Sequence, residues 1–156
     1  MAAIEKNVYS SMDDASLVWA CIEPVIAKVR GKDLHAKMEV YSRLNEAQRA
    51  LFMFQVLYGH SSHGIAGVFC ELSYMIAIPA VWAELKESLL YFRADALARV
   101  TSEMEQLYHA AGPDGLSKDM PQLRGFDGAF EKALEQAVRC VASCIRENPG
   151  RFVQLS

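Results

Sequence analysis

Residues 64–83 form a nearly unbroken apolar stretch, which constrains the fold more than any other part of the sequence. A stretch of about 20 such residues is long enough to cross a bilayer. However, Glu71 lies near its middle, Pro79 interrupts it, and neither Lys nor Arg occurs between Arg49 and Lys86 to anchor it at an interface. We therefore expect a central helix buried on nearly all sides, and a second helix that begins at Pro79.

Capping residues and helical periodicity predict the other elements before residue 112. Asn45 and Gln48 can form a capping box at the start of a helix that ends at Gly59. Pro24 should kink or split an earlier helix, because proline removes a backbone donor. Asp13 or Asp14 can cap that helix, which closes at Gly31, and further helices are expected over residues 33–44, 79–91 and 93–111. Met38 is placed on the apolar side of the helix over residues 33–44, and the helical spacing of Tyr74 favours a core position.

The strongest helical periodicity lies near the end of the sequence. Asp127 is expected to cap this last helix, and the run from Asn148 to Gly150 should end it. Residues 112–125 are rich in Gly and Pro and are expected to form a loop. The apolar residues recur at steps of three and four: Phe126, Phe130, Leu134, Val138, Val141 and Ile145.

The pattern as a whole predicts an all-α fold. No alternating apolar run bounded by turns indicates a strand. We expect one domain over residues 1–156, with roughly six or seven helices around a buried central helix.

The charge and the cysteines restrict the class of protein. The chain carries 16 basic and 19 acidic residues, for a formal net charge of -3, and its basic residues are dispersed. This distribution argues against a nucleic-acid-binding stripe. The four cysteines lie in apolar stretches, and no basic-then-apolar leader precedes them. We therefore predict a cytoplasmic protein with reduced thiols.

The connection between Gly59 and Gly64 is the candidate binding site. Glycine at each end lets the chain reverse, and this should leave the four polar side chains between them facing outward. The imidazoles could instead share a metal ion or carry protons, and the segment could also be only a polar turn. The candidate binding residues are His60, Ser61, Ser62, His63 and Gly64.

Three further residues are candidates for chemistry. Glu71 stands in an apolar segment without a basic neighbour in sequence, which makes it a candidate perturbed acid unless one edge of its helix is solvated. Cys140 and Cys144 are four residues apart on one helix face and could join His60 or His63 at a metal, although core packing is the simpler interpretation. We predict neither a metal nor a cofactor, because no phosphate-binding loop, His-Glu-x-x-His pair or Gly-x-Ser-x-Gly elbow is present.

Residues 43–52, RLNEAQRALF, resemble a family of bacterial all-helical proteins named after a DNA-mimic member. In that family a similar helix leads into a Gly-rich turn, typically Asn-Asn-Gly-Gly-Phe, which would correspond here to residues 61–65. Only Gly64 keeps the family's residue in this turn. Residues 126–152 are similar to the end of the family's sequences. The resemblance implies a helical protein that acts by binding another protein. DNA mimicry itself is not expected, because basic residues are interleaved with the acidic ones.

These observations lead to two functional hypotheses. The first is a non-enzymatic protein-interaction module, either a regulator or an immunity-type antagonist, whose partner is another protein rather than nucleic acid or a membrane. The alternative is a small metal-dependent or acid/base enzyme that uses His60, His63 and Glu71. The enzyme needs these side chains to converge in one cleft, and the interaction module does not.

Overall fold

The computed structural model describes residues 2–112 and 121–156 and confirms the all-α fold class, with 79% helix. Nine α-helices and one 3-10 turn lie within these two ranges. A two-stranded sheet is the only other regular structure in them. The elements are β1 (Ala2–Ile4), α1 (Lys6–Ser11), α2 (Asp14–Val29), α3 (Leu34–Ser42), α4 (Glu46–Gly59), α5 (Gly64–Glu71), α6 (Ser73–Ile76), α7 (Pro79–Tyr91), α8 (Asp95–Ala111), α9 (Pro121–Glu147), a 3-10 turn (Pro149–Arg151) and β2 (Val153–Leu155).

Side-chain caps begin three of the helices, and the capping box predicted at Asn45 is confirmed. The Asn45 side chain accepts from the Gln48 backbone N–H, and the Gln48 side chain accepts from the Asn45 backbone N–H, so α4 begins with a capping box. Asp13 caps α2 and Asp33 caps α3 in the same way, each accepting from the backbone N–H three residues later.

Pro24 does not split α2, contrary to one of the two expected outcomes. The helix runs without interruption from Asp14 to Val29. Pro24 lies on its exposed side, where water can hydrogen-bond to the carbonyl that the missing N–H would have contacted.

The apolar stretch from residue 64 contains two short helices before Pro79, not one longer helix. α5 and α6 are separated at Leu72, which is fully buried. Trp82 donates its indole N–H to the carbonyl of Ile76 at 3.0 Å and so satisfies the end of α6. The second helix begins at Pro79, as predicted. None of the described helices combines the length and the apolar character that crossing a membrane would require.

The last helix begins earlier than predicted. α9 starts at Pro121, so residues 121–125 are helical, whereas residues 113–120 of the predicted loop lie outside the described residues. Leu123 is buried and extends the apolar stripe by one turn. Its burial offsets the cost of about 1 kcal/mol that a glycine such as Gly125 brings inside a helix.

The strands were not predicted. β1 and β2 pair in parallel, with Ala2 opposite Val153 and Ile4 opposite Leu155. Strands of three residues are too short to show an alternating pattern. Ala2, Ile4 and Val153 are buried, so the sheet closes one side of the helical core.

The first prediction concerns the apolar stripe of α9. Leu134 is 6% exposed and its neighbour Glu135 is exposed. Leu134→Ala should therefore lower the free energy of unfolding by about 2–5 kcal/mol, because it removes buried methyl groups and leaves a cavity. Glu135→Ala should change it by less than about 0.5 kcal/mol. Equal losses in urea unfolding would show that the buried face of α9 has been misassigned.

The second prediction concerns the buried thiol of Cys21 on α2. Burial raises its pKa to about 12, whereas a thiol in the unfolded chain has a pKa of about 8.5. Between these values the folded state holds a proton that the unfolded state releases, so stability should fall as the pH rises from about 8.5 towards 12. Cys21→Ala should make this fall less steep in urea unfolding measured across that range. Cys70→Ala, at an exposed cysteine, should leave the slope unchanged.

Candidate functional site

The candidate binding residues form a tight reversal between α4 and α5. The Ser61 N–H donates to the carbonyl of Tyr58, and the Gly64 N–H donates to that of Ser61 at 2.9 Å. The Ser61 hydroxyl also donates to the Tyr58 carbonyl at 2.7 Å. The Ser62 hydroxyl lies 3.2 Å from Nδ1 of His63. These local bonds satisfy the end of α4, so the segment has a structural role whatever else it does.

His60 and His63 point to different neighbours. Nδ1 of His60 lies 2.7 Å from the carbonyl of Val56, so this nitrogen donates and Nε2 is the acceptor in the neutral ring. Nδ1 of His63 instead lies 3.5 Å from Oε1 of Glu71. His60 is half-buried, whereas the side chain of His63 is 77% exposed.

Glu71 lies at a solvated edge of α5. Its side chain is 43% exposed, and its ion-pairing partner within the described residues is His63, which is charged only when protonated. The burial that made Glu71 a candidate perturbed acid is therefore not present. The exposed pair with His63 is the one contact by which the structure brings two of the proposed catalytic side chains together.

The predicted cap Asp127 is half-buried and has a different role. It lies inside α9, and its Oδ1 accepts from the backbone N–H of Ile65 at 3.0 Å. A carboxylate at a helix amino end is favourable because it bonds to a free N–H and faces the positive end of the helix dipole. Asp127 therefore caps α5 across space instead of the helix in which it lies.

Gly64 makes this contact between α5 and α9 possible. Its φ is +66°, and a Cβ placed on it would lie 2.5 Å from Oδ1 of Asp127. Only glycine satisfies both the left-handed backbone and the close approach of the carboxylate. Gly64 is thus explained by packing, without any ligand.

The third prediction separates these two reasons for Gly64. Gly31 has a φ of +70° and open space around it, so Gly31→Ala should cost only the backbone strain, about 1 kcal/mol. Gly64→Ala should lower the melting temperature further because it also displaces Asp127. In an Asp127→Ala background, the effect of Gly64→Ala should shrink towards that of Gly31→Ala. Equal costs of the two glycine substitutions in the wild type would show that the carboxylate moves away freely.

Cys140 and Cys144 lie on one face of α9, as predicted, and are half-buried. They line a cavity of about 360 Å³ together with Tyr91, Arg93 and Arg151. Burial raises the pKa of the Cys144 thiol, which opposes thiolate formation. Neither His60 nor His63 lines this cavity. Across the described ranges, no three His, Cys, Asp or Glu side chains are grouped so that they could hold a metal ion.

Sequence reasoning missed an apolar groove around α3. Two cavities of about 410 and 210 Å³ adjoin here, and Lys37, Phe52 and Met75 line both. We call the larger the α2 cavity and the smaller the α7 cavity, after the helix that completes each, and the two together the α3 groove. His60 lines the α2 cavity, so the candidate turn borders the groove.

Exposed apolar side chains surround the α3 groove. Trp19 and Tyr74 line the α2 cavity, and Met38 and Ile78 line the α7 cavity. The sequence pattern placed Met38 on the apolar side of its helix and favoured a core position for Tyr74, yet these side chains are 57% and 46% exposed. The pattern identified the apolar face of α3 but could not show that nothing within the described residues covers it.

Two polar contacts hold α3 across the groove. Nζ of Lys37 donates to the Tyr74 hydroxyl at 2.7 Å and lies 4.8 Å from the centre of the Tyr74 ring. Near the other end, the Tyr41 hydroxyl donates to Oε2 of Glu84 at 2.6 Å. Burial and the Glu84 carboxylate raise the pKa of Tyr41, so this donor keeps its proton. The helix α3 has no fully buried residue, and these contacts therefore help to fix its position.

Comparison with known proteins gives no further guide to the site. No protein-family model matches the chain, and neither the curated proteins nor the solved structures give a match. The family resemblance of residues 43–52 stays a prediction.

Proposed function

We propose that this chain is a non-enzymatic protein-interaction module, a regulator or an immunity-type antagonist that binds another protein in the cytoplasm. One observation carries the proposal. Of the seven large apolar side chains that are exposed in the described residues, four surround the α3 groove: Trp19, Met38, Tyr74 and Ile78.

The kind of side chain supports a protein partner. Single exposed apolar residues are ordinary on a surface, but a contiguous group of them marks an interaction site. Trp, Tyr and Met are enriched where proteins bind one another, because they bury a large area at each contact. The groove offers both exposed anchors and cavities that a partner's side chains can fill.

In this proposal the predicted binding turn lies at the border of the α3 groove. His60 connects the two, since it lines the α2 cavity and is also the residue at which α4 ends. Ser61 and Ser62 line a separate open cleft between α2 and α9, and His63 is exposed. The similarity of residues 43–52 to a family that acts by protein binding is consistent with this use.

The enzyme alternative rests on the contact between His63 and Glu71. A histidine beside a carboxylate is a common acid/base pair. However, His60 is held against the carbonyl of Val56 and lines a cavity that neither of the other two side chains lines. Within the described residues the pair is also open to water, with the two side chains 77% and 43% exposed, so the interaction module is the better supported of the two.

The fourth prediction tests the α3 groove as the binding surface. Met38→Asp should remove the native partner from protein purified from its own host, because a carboxylate on this surface would be desolvated at the interface. Leu90→Asp is the matched control, since Leu90 is 54% exposed, close to the 57% of Met38, and lies outside the groove. Both variants should melt within a few degrees of the wild type. Mass spectrometry of the co-purified proteins provides the measurement.

Two results would count against the proposal. Equal loss of partner in both variants would place the binding surface elsewhere, as would full retention in Met38→Asp. The double substitution of His60 and His63 by Ala addresses the turn separately. If the turn borders the interface, this variant should retain less partner than Leu90→Asp while its melting temperature changes little.

A further inference from the structure

The lining of the α3 groove restricts how a partner can bind. Its walls are the helices α2, α3, α6 and α7, and its floor is formed by Phe52 on α4 and Met75 on α6. No strand of the described residues borders it, so a partner cannot bind here by adding a strand. Two other modes use apolar contacts: a polyproline segment lies against aromatic side chains, and an amphipathic helix places its side chains into cavities. The two adjoining cavities favour the helix.

The two cavities suit anchors on one face of such a helix. The α7 cavity, at about 210 Å³, is smaller than the 300 Å³ or so at which small-molecule sites begin. It is lined mainly by apolar side chains, among them Leu34, Met38 and Val81. A single large aliphatic or aromatic side chain would fill it, while the adjoining α2 cavity would take a second side chain from the same face of the helix.

The charge of the groove is opposite to that of the whole chain. The formal net charge is -3, yet the charged residues that line the α2 cavity are Arg30 and Lys37, and no carboxylate lines it. Glu84 lies at the far side of the α7 cavity. A partner's carboxylates would thus be attracted to the α2 end and repelled at the α7 end, which also sets the direction in which the helix binds.

Lys37 can bind an anion while it keeps its hydrogen bond to Tyr74. Its ammonium group has three donors, and the Tyr74 hydroxyl uses one of them. His60 adds a further polar residue to the lining of the α2 cavity, with its Nδ1 bonded to the carbonyl of Val56.

We propose that the α3 groove receives an acidic amphipathic helix of a partner protein, with its apolar side chains in the two cavities and its carboxylates facing Arg30 and Lys37. This inference rests on the proposed function and adds the chemistry of the partner to it. The partner helix carries Asp or Glu at the end that lies over the α2 cavity. Its apolar residues recur at steps of three, four or seven.

The fifth prediction tests this chemistry with a library of random 16-residue peptides displayed to the full chain. Binders that Met38→Asp does not retain should be enriched in Asp and Glu and should show apolar residues at helical spacing. One selected peptide, titrated against the protein, should bind about three- to tenfold more weakly after Arg30→Glu or Lys37→Glu. The control Lys28→Glu reverses a charge on the same helix as Trp19 but outside the groove lining, and it should leave the affinity unchanged.

Other outcomes would overturn the inference. Selected peptides that are basic or show no charge preference would contradict the proposed acidic character of the partner. Binders that Met38→Asp retains would show that the peptide binds outside the α3 groove. If no peptide binds, and sedimentation shows a dimer that Met38→Asp dissociates, the occupant is a second copy of this chain. In each case the co-purification result for Met38→Asp and Leu90→Asp decides separately whether the groove binds a native partner.

Discussion

The apolar stripe of α9 is the contact on which the rest of the fold depends. The helix packs against α2, α5 and α8, and the side chains of Phe130, Val141 and Ile145 are fully buried in these contacts. The other sides of the core are built from helices of fewer than 18 residues, most of which are too short to be stable in isolation. Because α9 also supplies Asp127 to the start of α5, it fixes both the packing of that helix and the turn that precedes it.

Local signals in the sequence were sufficient where the structure is decided locally. The Asn45 box, the Asp33 cap and Pro79 each act within one turn, so their helices begin where expected. Asp127 shows the opposite case. The sequence offered it as a cap for its own helix, but the N–H that it satisfies belongs to Ile65, and only the tertiary packing brings the two together. The parallel strands depend on the same kind of long-range contact.

The same contrast between local sequence and tertiary packing applies to the candidate site. The turn at residues 60–63 was found because glycine and polar side chains mark reversals, whereas the α3 groove is assembled from five helices that are separate in sequence. Periodicity shows which face of a helix is apolar but not whether another element covers it. Met38 and Glu71 illustrate this limit. Met38 was assigned to an apolar helix face and Glu71 to an apolar environment, yet both side chains are exposed.

The pairing of β1 with β2 has a consequence for the order of folding during synthesis. The two strands come from opposite ends of the described chain, and the buried side chains of Ala2 and Ile4 have no strand partner until Val153–Leu155 leaves the ribosome. Contacts so distant in sequence form late, because the chain entropy of closing the loop must be lost first. The helices can therefore assemble beforehand. Pairing of the two strands would be the last step, and it would occur only after Val153–Leu155 has been translated.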